Sequence, residues 1–269
     1  MDVVERDYAI GHVLAALYAR GGLAEALVFK GGTALKKAYF GDYRFSVDLD
    51  FTSIDGPRGA ALMTDMAAVA EDAQGRLYEH GAFSVAASRR PGQGPHPTGQ
   101  EAFKMLVGFP WHGQPLCSIK LEVTVDEPLL LPAADRPLLH GYQEPLEAHL
   151  RCYALEEIAA EKLRTILQAQ KRAGEHRWLR NCARDYYDLW RLCVGSAPVP
   201  LDFATVRRIL PDKCAVREVG FTSVDDFFPS LVVEDAARRW DSSLANLVRP
   251  LPDFATALEE LRASLSEQL

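Results

Sequence analysis

The chain has 269 residues, of which 48% are apolar and 25% are charged. This is the composition of a globular protein with one large or two modest domains, and it excludes collagen, mucin, coiled-coil and disordered classes. The net charge is −7, so any contact with nucleic acid has to come from a local basic patch.

The amino-terminal sequence is acidic and lacks the basic and apolar parts of a signal peptide. The longest apolar runs of the whole chain are far shorter than the roughly 20 residues that a membrane span needs. The five cysteines and seven histidines show neither a disulfide framework nor metal-site spacing. We therefore expect a cytoplasmic protein with reduced structural thiols and no membrane contact.

Helix and strand patterns alternate along the first half of the chain. Apolar residues at three- and four-residue steps predict a helix over 4–19, ended by Gly21 and Gly22. The apolar run 26–29 predicts a strand, which a glycine turn connects to a helix. The other elements predicted in this half are a strand over 46–51, a helix over 57–79, a Pro- and Gly-rich loop over 89–99, and strands near 82–88, 102–109 and 116–125.

The second half has a helical pattern. The Pro-punctuated stretch 127–146 is the expected boundary between a first domain, 1–127, and a second domain, 128–269. The helices predicted in the second half cover 153–171, 180–193, 202–209, 231–246 and 252–266. The fold class is therefore α+β, a mixed sheet flanked by helices and followed by a helical domain.

Two carboxylates lie on one face of the strand predicted over 46–51. Asp48 and Asp50 alternate with apolar residues, so their side chains point the same way and can share a hard cation such as Mg²⁺. Glu122 occupies the polar face of a second alternating strand and completes an acidic triad if the two strands are neighbours. The alternative is an ordinary solvated strand face.

Gly31, Gly32 and Thr33 stand between a predicted strand and a predicted helix. Bare glycine backbone at the positive end of a helix offers N–H groups to a phosphate, which predicts a triphosphate cradle. The alternative is a plain turn with Thr33 as the N-cap of the helix. No GxSxG or Walker A sequence is present, so hydrolase and P-loop functions have no support.

Lys162 interrupts the apolar stripe of the helix predicted over 153–171. It either faces a cleft, where its ammonium would neutralise phosphate charge, or snorkels to water. Asp185 lies beside the packing stripe of the next helix and either forms a salt bridge with Lys162 or Arg184 or serves in the site. Asp188 is expected to pair with Arg184 within that helix.

Residues 162–191 carry eight basic and three acidic residues, which makes them a local basic segment. Its basic residues are candidates for phosphate contacts with RNA and its aromatic residues for base stacking, the alternative being a solvated face. The candidate RNA-binding residues are Lys171, Arg172, Arg177 and Arg180, and the aromatic ones are Trp178, Tyr186, Tyr187 and Trp190.

Several motifs together resemble one family. Residues 29–35, Phe-Lys-Gly-Gly-Thr-Ala-Leu, and 44–51, Arg-Phe-Ser-Val-Asp-Leu-Asp-Phe, are similar to the first motif of the AbiEii/AbiGii toxins. This family includes the MenT toxins, within the DNA-polymerase-β-like nucleotidyltransferases. The similarity continues through 120–123, 161–164 and 184–189 in the family's order.

The resemblance implies a nucleotidyltransferase sheet followed by a helical domain. It implies Asp48 and Asp50 as metal ligands, Gly32 and Thr33 as the phosphate loop, Lys162 as the triphosphate contact and Asp185 as the remaining essential carboxylate. Ser46 matches a serine that an antitoxin phosphorylates in some relatives, and Glu122 stands where the family often has aspartate.

The function that the resemblance implies is transfer of nucleotides from a nucleoside triphosphate to the 3′ end of tRNA. Mg²⁺, with Mn²⁺ as the alternative, is the implied cofactor, an antitoxin is the implied partner, and the implied outcome is a block of translation. Two alternatives stay open: transfer to a protein or small-molecule hydroxyl, and a non-catalytic module that binds RNA or protein.

Overall fold

The computed structural model describes residues 3–89, 99–114, 117–176, 179–194 and 200–269. Arg177, Trp178 and most of the predicted loop 89–99 lie outside these residues. The chain forms two compact units, Met1–Tyr153 and Ala154–Leu269. The division falls later than the expected boundary after residue 127, because one strand inside the Pro-punctuated stretch and another just after it both belong to the sheet of the first unit.

The first unit contains helices and a mixed sheet. Its helices are α1 (Val3–Tyr18), α2 (Gly21–Ala26), α3 (Gly31–Ala34), which continues as a π-helix over Leu35–Tyr39, and α4 (Gly59–Tyr78). Its strands are β1 (Leu27–Lys30), β2 (Asp48–Ser53), β3 (Ser84–Arg89), β4 (Glu101–Gly108), β5 (Cys117–Thr124), β6 (Ala134–Pro137) and β7 (His149–Cys152).

The described strands form one sheet in the order β3-β4-β5-β2-β1-β7-β6. β2 is central, parallel to β5 on one side and antiparallel to β1 on the other. β1 in turn pairs in parallel with β7, and β6 closes this edge of the sheet. The ring of Phe51 on β2 stacks on Phe29 of β1, with ring centroids 5.2 Å apart.

Alternation in the sequence explains the two faces of the central strands. Leu49 and Phe51 are fully buried, whereas Asp48 and Asp50, which alternate with them, are half-buried. β5 alternates in the same way, with Glu122 half-buried between two buried apolar residues. One face of the sheet thus packs the core and the opposite face carries charge.

The second unit is helical within the described residues. Its elements are α5 (Leu155–His176), α6 (Ala183–Cys193), α7 (Phe203–Ala215), a short 3₁₀ helix (Val224–Phe227), α8 (Ser230–Leu244) and α9 (Phe254–Gln268). Asp202 caps α7 by accepting hydrogen bonds from the N–H groups of Ala204 and Thr205. The five helices predicted for this half are confirmed.

A buried ion pair joins α5 to α7 inside this unit. Lys213 Nζ lies 2.8 Å from Glu157 Oε1, and both side chains are fully buried. Lys213 takes a core position in α7, so its charge has to be paired where it is shielded from water.

The structure corrects one local prediction about the first helix and confirms the prediction of free thiols. α1 ends at Tyr18, and Gly21 and Gly22 begin α2 instead of ending α1. The cysteines are free thiols, as expected, and burial raises the pKa of Cys182 to about 12. No helix among the described residues is long and apolar enough to cross a membrane.

Candidate active site

Three charged side chains stand in one row across the centre of the sheet. The register of the strands places Lys30 of β1 and Glu122 of β5 on either side of Asp50 of β2. Residues in register on neighbouring strands project from the same face. The sheet therefore brings Glu122 beside Asp50, as the acidic triad required.

Asp48 lies one step along the same face, in register with Lys120. Lys120 Nζ is 2.5 Å from Glu122 Oε1. The positive charge of Lys120 therefore offsets part of the negative charge of these carboxylates. The arrangement presents the carboxylates of Asp48, Asp50 and Glu122 on a half-exposed surface, where solvent and a ligand can reach them.

Gly31 leaves room for the carboxylate of Asp50. It has a φ of +78°, and a Cβ on it would lie 2.8 Å from Asp50 Oδ2. A larger residue would be strained by the backbone conformation and would also collide with the carboxylate. The glycine therefore permits close contact between the turn and Asp50.

Gly32 is packed against two polar side chains that precede β2. A Cβ on Gly32 would lie 2.5 Å from Arg44 Nη2 and 3.3 Å from Ser46 Oγ. The guanidinium of Arg44 is buried and donates to the carbonyl oxygen of Phe45. The glycine turn thus has a cationic side chain and a hydroxyl directly beside it.

Thr33 is not the N-cap of the helix after the glycine turn. The helix begins at Gly31, with Lys30 at the N-cap position. The Thr33 hydroxyl is buried and donates to the carbonyl oxygen of Asp48. The N-cap alternative is therefore wrong, and Thr33 fastens the glycine turn to the beginning of β2.

Sequence reasoning missed a buried ion pair next to Asp50. Lys30 Nζ lies 3.3 Å from Glu127 Oε2 and 5.5 Å from the centre of the Tyr153 ring. Both charged side chains are at most 7% exposed. A lysine at the end of an apolar strand was a visible signal, but its partner lies 97 residues along the chain.

The residues of the sheet face have the donor chemistry that a hard divalent cation takes. Asp48, Asp50 and Glu122 supply only carboxylate oxygens, the donors that Mg²⁺ and Mn²⁺ take. The missing Cβ of Gly31 lets the backbone of the turn come close to Asp50 Oδ2. These ligand assignments remain a prediction that the geometry of the sheet supports.

Lys162 and Asp185 lie in the second unit, where they form a buried cluster. Lys162 Nζ is 2.9 Å from Asp185 Oδ1 and 2.6 Å from Asp188 Oδ2. The lysine faces inward, so the snorkelling alternative is wrong, and Asp188 contacts the neighbouring helix α5. Arg180 adds a weaker contact to Asp185 at 3.7 Å. That Lys162 and Asp185 join the carboxylates of the first unit stays a prediction.

In the described part of the basic segment, several side chains are buried or already bonded within the protein. Lys171 donates to the carbonyl oxygen of Glu218, while Arg172 is half-buried and Arg180 is exposed. Tyr186 and Tyr187 are buried and offer no face for base stacking, which corrects that expectation.

The phenol of Tyr186 serves the core of the second unit. Burial, assisted by nearby Cys182 and Asp185, raises the pKa of Tyr186. The phenol therefore stays protonated and donates to the carbonyl oxygen of Phe227 at 3.0 Å.

A family model matches most of the chain. Residues 12–260 match the family model described as nucleotidyl transferase AbiEii toxin, type IV TA system. The match covers both compact units, including the sheet face and the Lys162 cluster. No curated protein matches the chain significantly.

Proposed function

Because the chain belongs to the AbiEii family of nucleotidyltransferase toxins of type IV toxin–antitoxin systems, we propose that it transfers nucleotides to the 3′ end of tRNA. Membership in this family implies an enzyme that uses a nucleoside triphosphate as substrate and has an antitoxin as partner. The non-catalytic alternative is therefore not supported. The proposal adds the acceptor, the requirement for magnesium and the resulting block of translation.

The single observation that carries the proposal is the register of the central strands. It sets Asp50 between Lys30 and Glu122, with Asp48 on the same face and the bare backbone of Gly31 against the Asp50 carboxylate. Carboxylates beside a glycine turn are what metal-assisted transfer of a phosphate group needs.

The reaction exchanges one phosphorus–oxygen bond for another. The 3′ oxygen of the RNA forms a bond to the α-phosphorus while the bond from the α-phosphorus to the oxygen of the β-phosphate breaks. Pyrophosphate leaves, and the proton of the 3′ hydroxyl passes to solvent. Asp48 and Asp50, with Glu122 as the third candidate, would hold magnesium, which supplies charge neutralisation when bound.

The chain's own residues then act mainly by positioning. Gly31 and Gly32 let phosphate oxygens approach the backbone, and the Arg44 guanidinium beside Gly32 attracts them. Thr33 holds this turn against β2 through its bond to the Asp48 carbonyl oxygen. A fixed turn keeps the phosphates aligned for in-line attack.

The second unit is proposed to complete the site. Lys162 would contact the triphosphate, and Asp185 would be the remaining essential carboxylate. The buried contacts of Lys162 with Asp185 and Asp188 support this proposal because they fix the ammonium in one position. Arg172 and Arg180 remain proposed contacts for the RNA backbone, together with Lys171 and Arg177.

The test incubates purified protein with each labelled nucleoside triphosphate, total tRNA and magnesium. We expect labelled tRNA from the wild type, and none from Asp48→Asn or Asp50→Asn or when EDTA is present. Asp241→Asn is the matched control, since Asp241 is an exposed carboxylate of α8. Equal labelling by the wild type and Asp50→Asn would refute the mechanism, and label on a protein or small molecule would select the alternative acceptor.

A further inference from the structure

A second cluster of side chains that could bind a metal lies in the first unit and has no role in the proposed reaction. His12, His80 and Glu144 each offer one ligand atom, and these atoms lie within 4.8 Å of one another. They come from three segments: helix α1, the residues just after α4, and the connection between β6 and β7. No spacing in the sequence links them, because they are separated by more than 60 residues.

His12 is the unusual member of this cluster. Its side chain is 2% exposed, and neither ring nitrogen has a hydrogen-bond partner among the described residues. A buried polar group without a partner is costly, and in a native structure it points to a missing water or ion. Burial, with smaller contributions from His140 and His80, lowers the pKa of His12 to about 4.

Glu144 is already oriented toward His12. Its Oε1 lies 3.8 Å from His12 Nε2 and 3.3 Å from His140 Nε2. Tyr8 also hydrogen-bonds Glu144, so the carboxylate has two groups that position it. Such outer partners of a ligating carboxylate are typical of metal sites.

We propose that His12, His80 and Glu144 bind one Zn²⁺, which fastens α1, the end of α4 and the β6–β7 connection together. Tetrahedral zinc with ligands at about 2.0–2.2 Å holds ligand atoms roughly 3.3–3.6 Å apart. His12 Nε2 and Glu144 Oε1 are 3.8 Å apart, close to this separation, and all three ligand atoms lie within 4.8 Å. Two imidazoles and one carboxylate suit zinc, whereas magnesium prefers oxygen ligands. His80 is exposed, so it can move the short distance that closes the site, and the fourth position is left for water.

The test uses the untagged full chain, stripped with EDTA and dialysed into buffer with millimolar Mg²⁺ to occupy the carboxylate face of the sheet. Zn²⁺ is then titrated in by calorimetry, and the melting temperature is measured with and without it. We expect one saturable site with micromolar or tighter affinity and a zinc-dependent rise in melting temperature.

His80→Ala and Glu144→Gln should each weaken zinc binding at least tenfold and remove the rise in melting temperature. His80 is exposed and its substitution leaves the core intact, so this variant will fold. His149→Ala is the matched control, because His149 is an exposed histidine paired with Asp135 in the same unit. It should bind zinc like the wild type.

Three results would overturn the zinc site. These are no saturable binding at micromolar zinc, unchanged binding in both His80→Ala and Glu144→Gln, and loss of binding in Asp50→Asn instead. The last result would place the zinc on the carboxylate face. None of these measurements depends on nucleotide transfer, so the zinc site and the proposed function stand or fall separately.

Discussion

The backbone of Gly31 lies against the carboxylate of Asp50, so closely that a Cβ on the glycine would come within 2.8 Å of Oδ2. The contact joins the turn after β1 to the charged face of β2. Because the two residues share this space, the shape of the glycine turn determines where the Asp50 carboxylate lies.

Gly31→Ala is therefore expected to reduce nucleotide transfer at least tenfold. The methyl group would displace Asp50, and the positive φ would cost about 1–2 kcal/mol of folding free energy. Activity and urea denaturation measure the two effects. Gly22→Ala is the control, since Gly22 lies in α2 with open space around it. If Gly31→Ala loses stability but keeps full activity, the turn does not position Asp50.

Ser46→Glu is expected to inhibit nucleotide transfer by at least tenfold without unfolding the protein. Ser46 lies beside Gly32 and Arg44, so an added carboxylate would pair with the guanidinium and repel a triphosphate. The measurement is the KM for nucleoside triphosphate together with the melting temperature. Ser46→Ala should stay active, and an equally active Ser46→Glu would argue against phosphorylation of Ser46 as a means of inhibition.

Asp185 and Asp188 are expected to respond differently to substitution. The Asp188 side chain is fully buried against Lys162, so Asp188→Ala should destabilise the protein by about 3 kcal/mol. Asp185→Asn preserves shape at a position that is 9% exposed, so it should fold well and lose transfer. Urea denaturation and the labelling assay separate the two. If activity simply follows stability in both variants, the Lys162 cluster is structural.

Lys213 and Glu157 offer a test of buried charge away from the proposed chemistry. Either Lys213→Met or Glu157→Leu alone should cost about 3–5 kcal/mol, because the remaining charge stays buried without its partner. The double variant should recover most of this loss, since two apolar side chains suit the same space. A double-mutant cycle by urea denaturation measures the coupling. Additive losses would contradict a direct pairing.

Local periodicity predicted much of the fold. Asp48 and Asp50 were assigned to one face because a strand repeats every two residues, and that rule needs no knowledge of other segments. The helices of the second unit follow from apolar spacing in the same way. Strands β6 and β7 were missed because they are four residues long, too short for a clear alternation, and β6 ends in Pro137 at the edge of the sheet.

Contacts between distant segments could not be predicted from periodicity. Alternation alone leaves open whether the strands of Asp50 and Glu122 are neighbours, and the structure shows that β2 and β5 pair in parallel register. Nothing local indicated Glu127 as the partner of Lys30, or Glu144 as the neighbour of His12. The sequence leaves the N-cap alternative for Thr33 open, because a hydroxyl after two glycines suits an N-cap as well as a bond to another strand.

The place where the first unit ends has a practical consequence for producing it alone. Tyr153 is buried, its N–H donates to the Phe29 carbonyl oxygen, and its hydroxyl lies 2.7 Å from Thr52 Oγ1. A truncation at residue 127 would remove this anchor together with β7, leaving one side of β1 unpaired. Such an open edge recruits strands from other molecules, so that fragment should aggregate, whereas one ending after Tyr153 keeps β1 paired with β7.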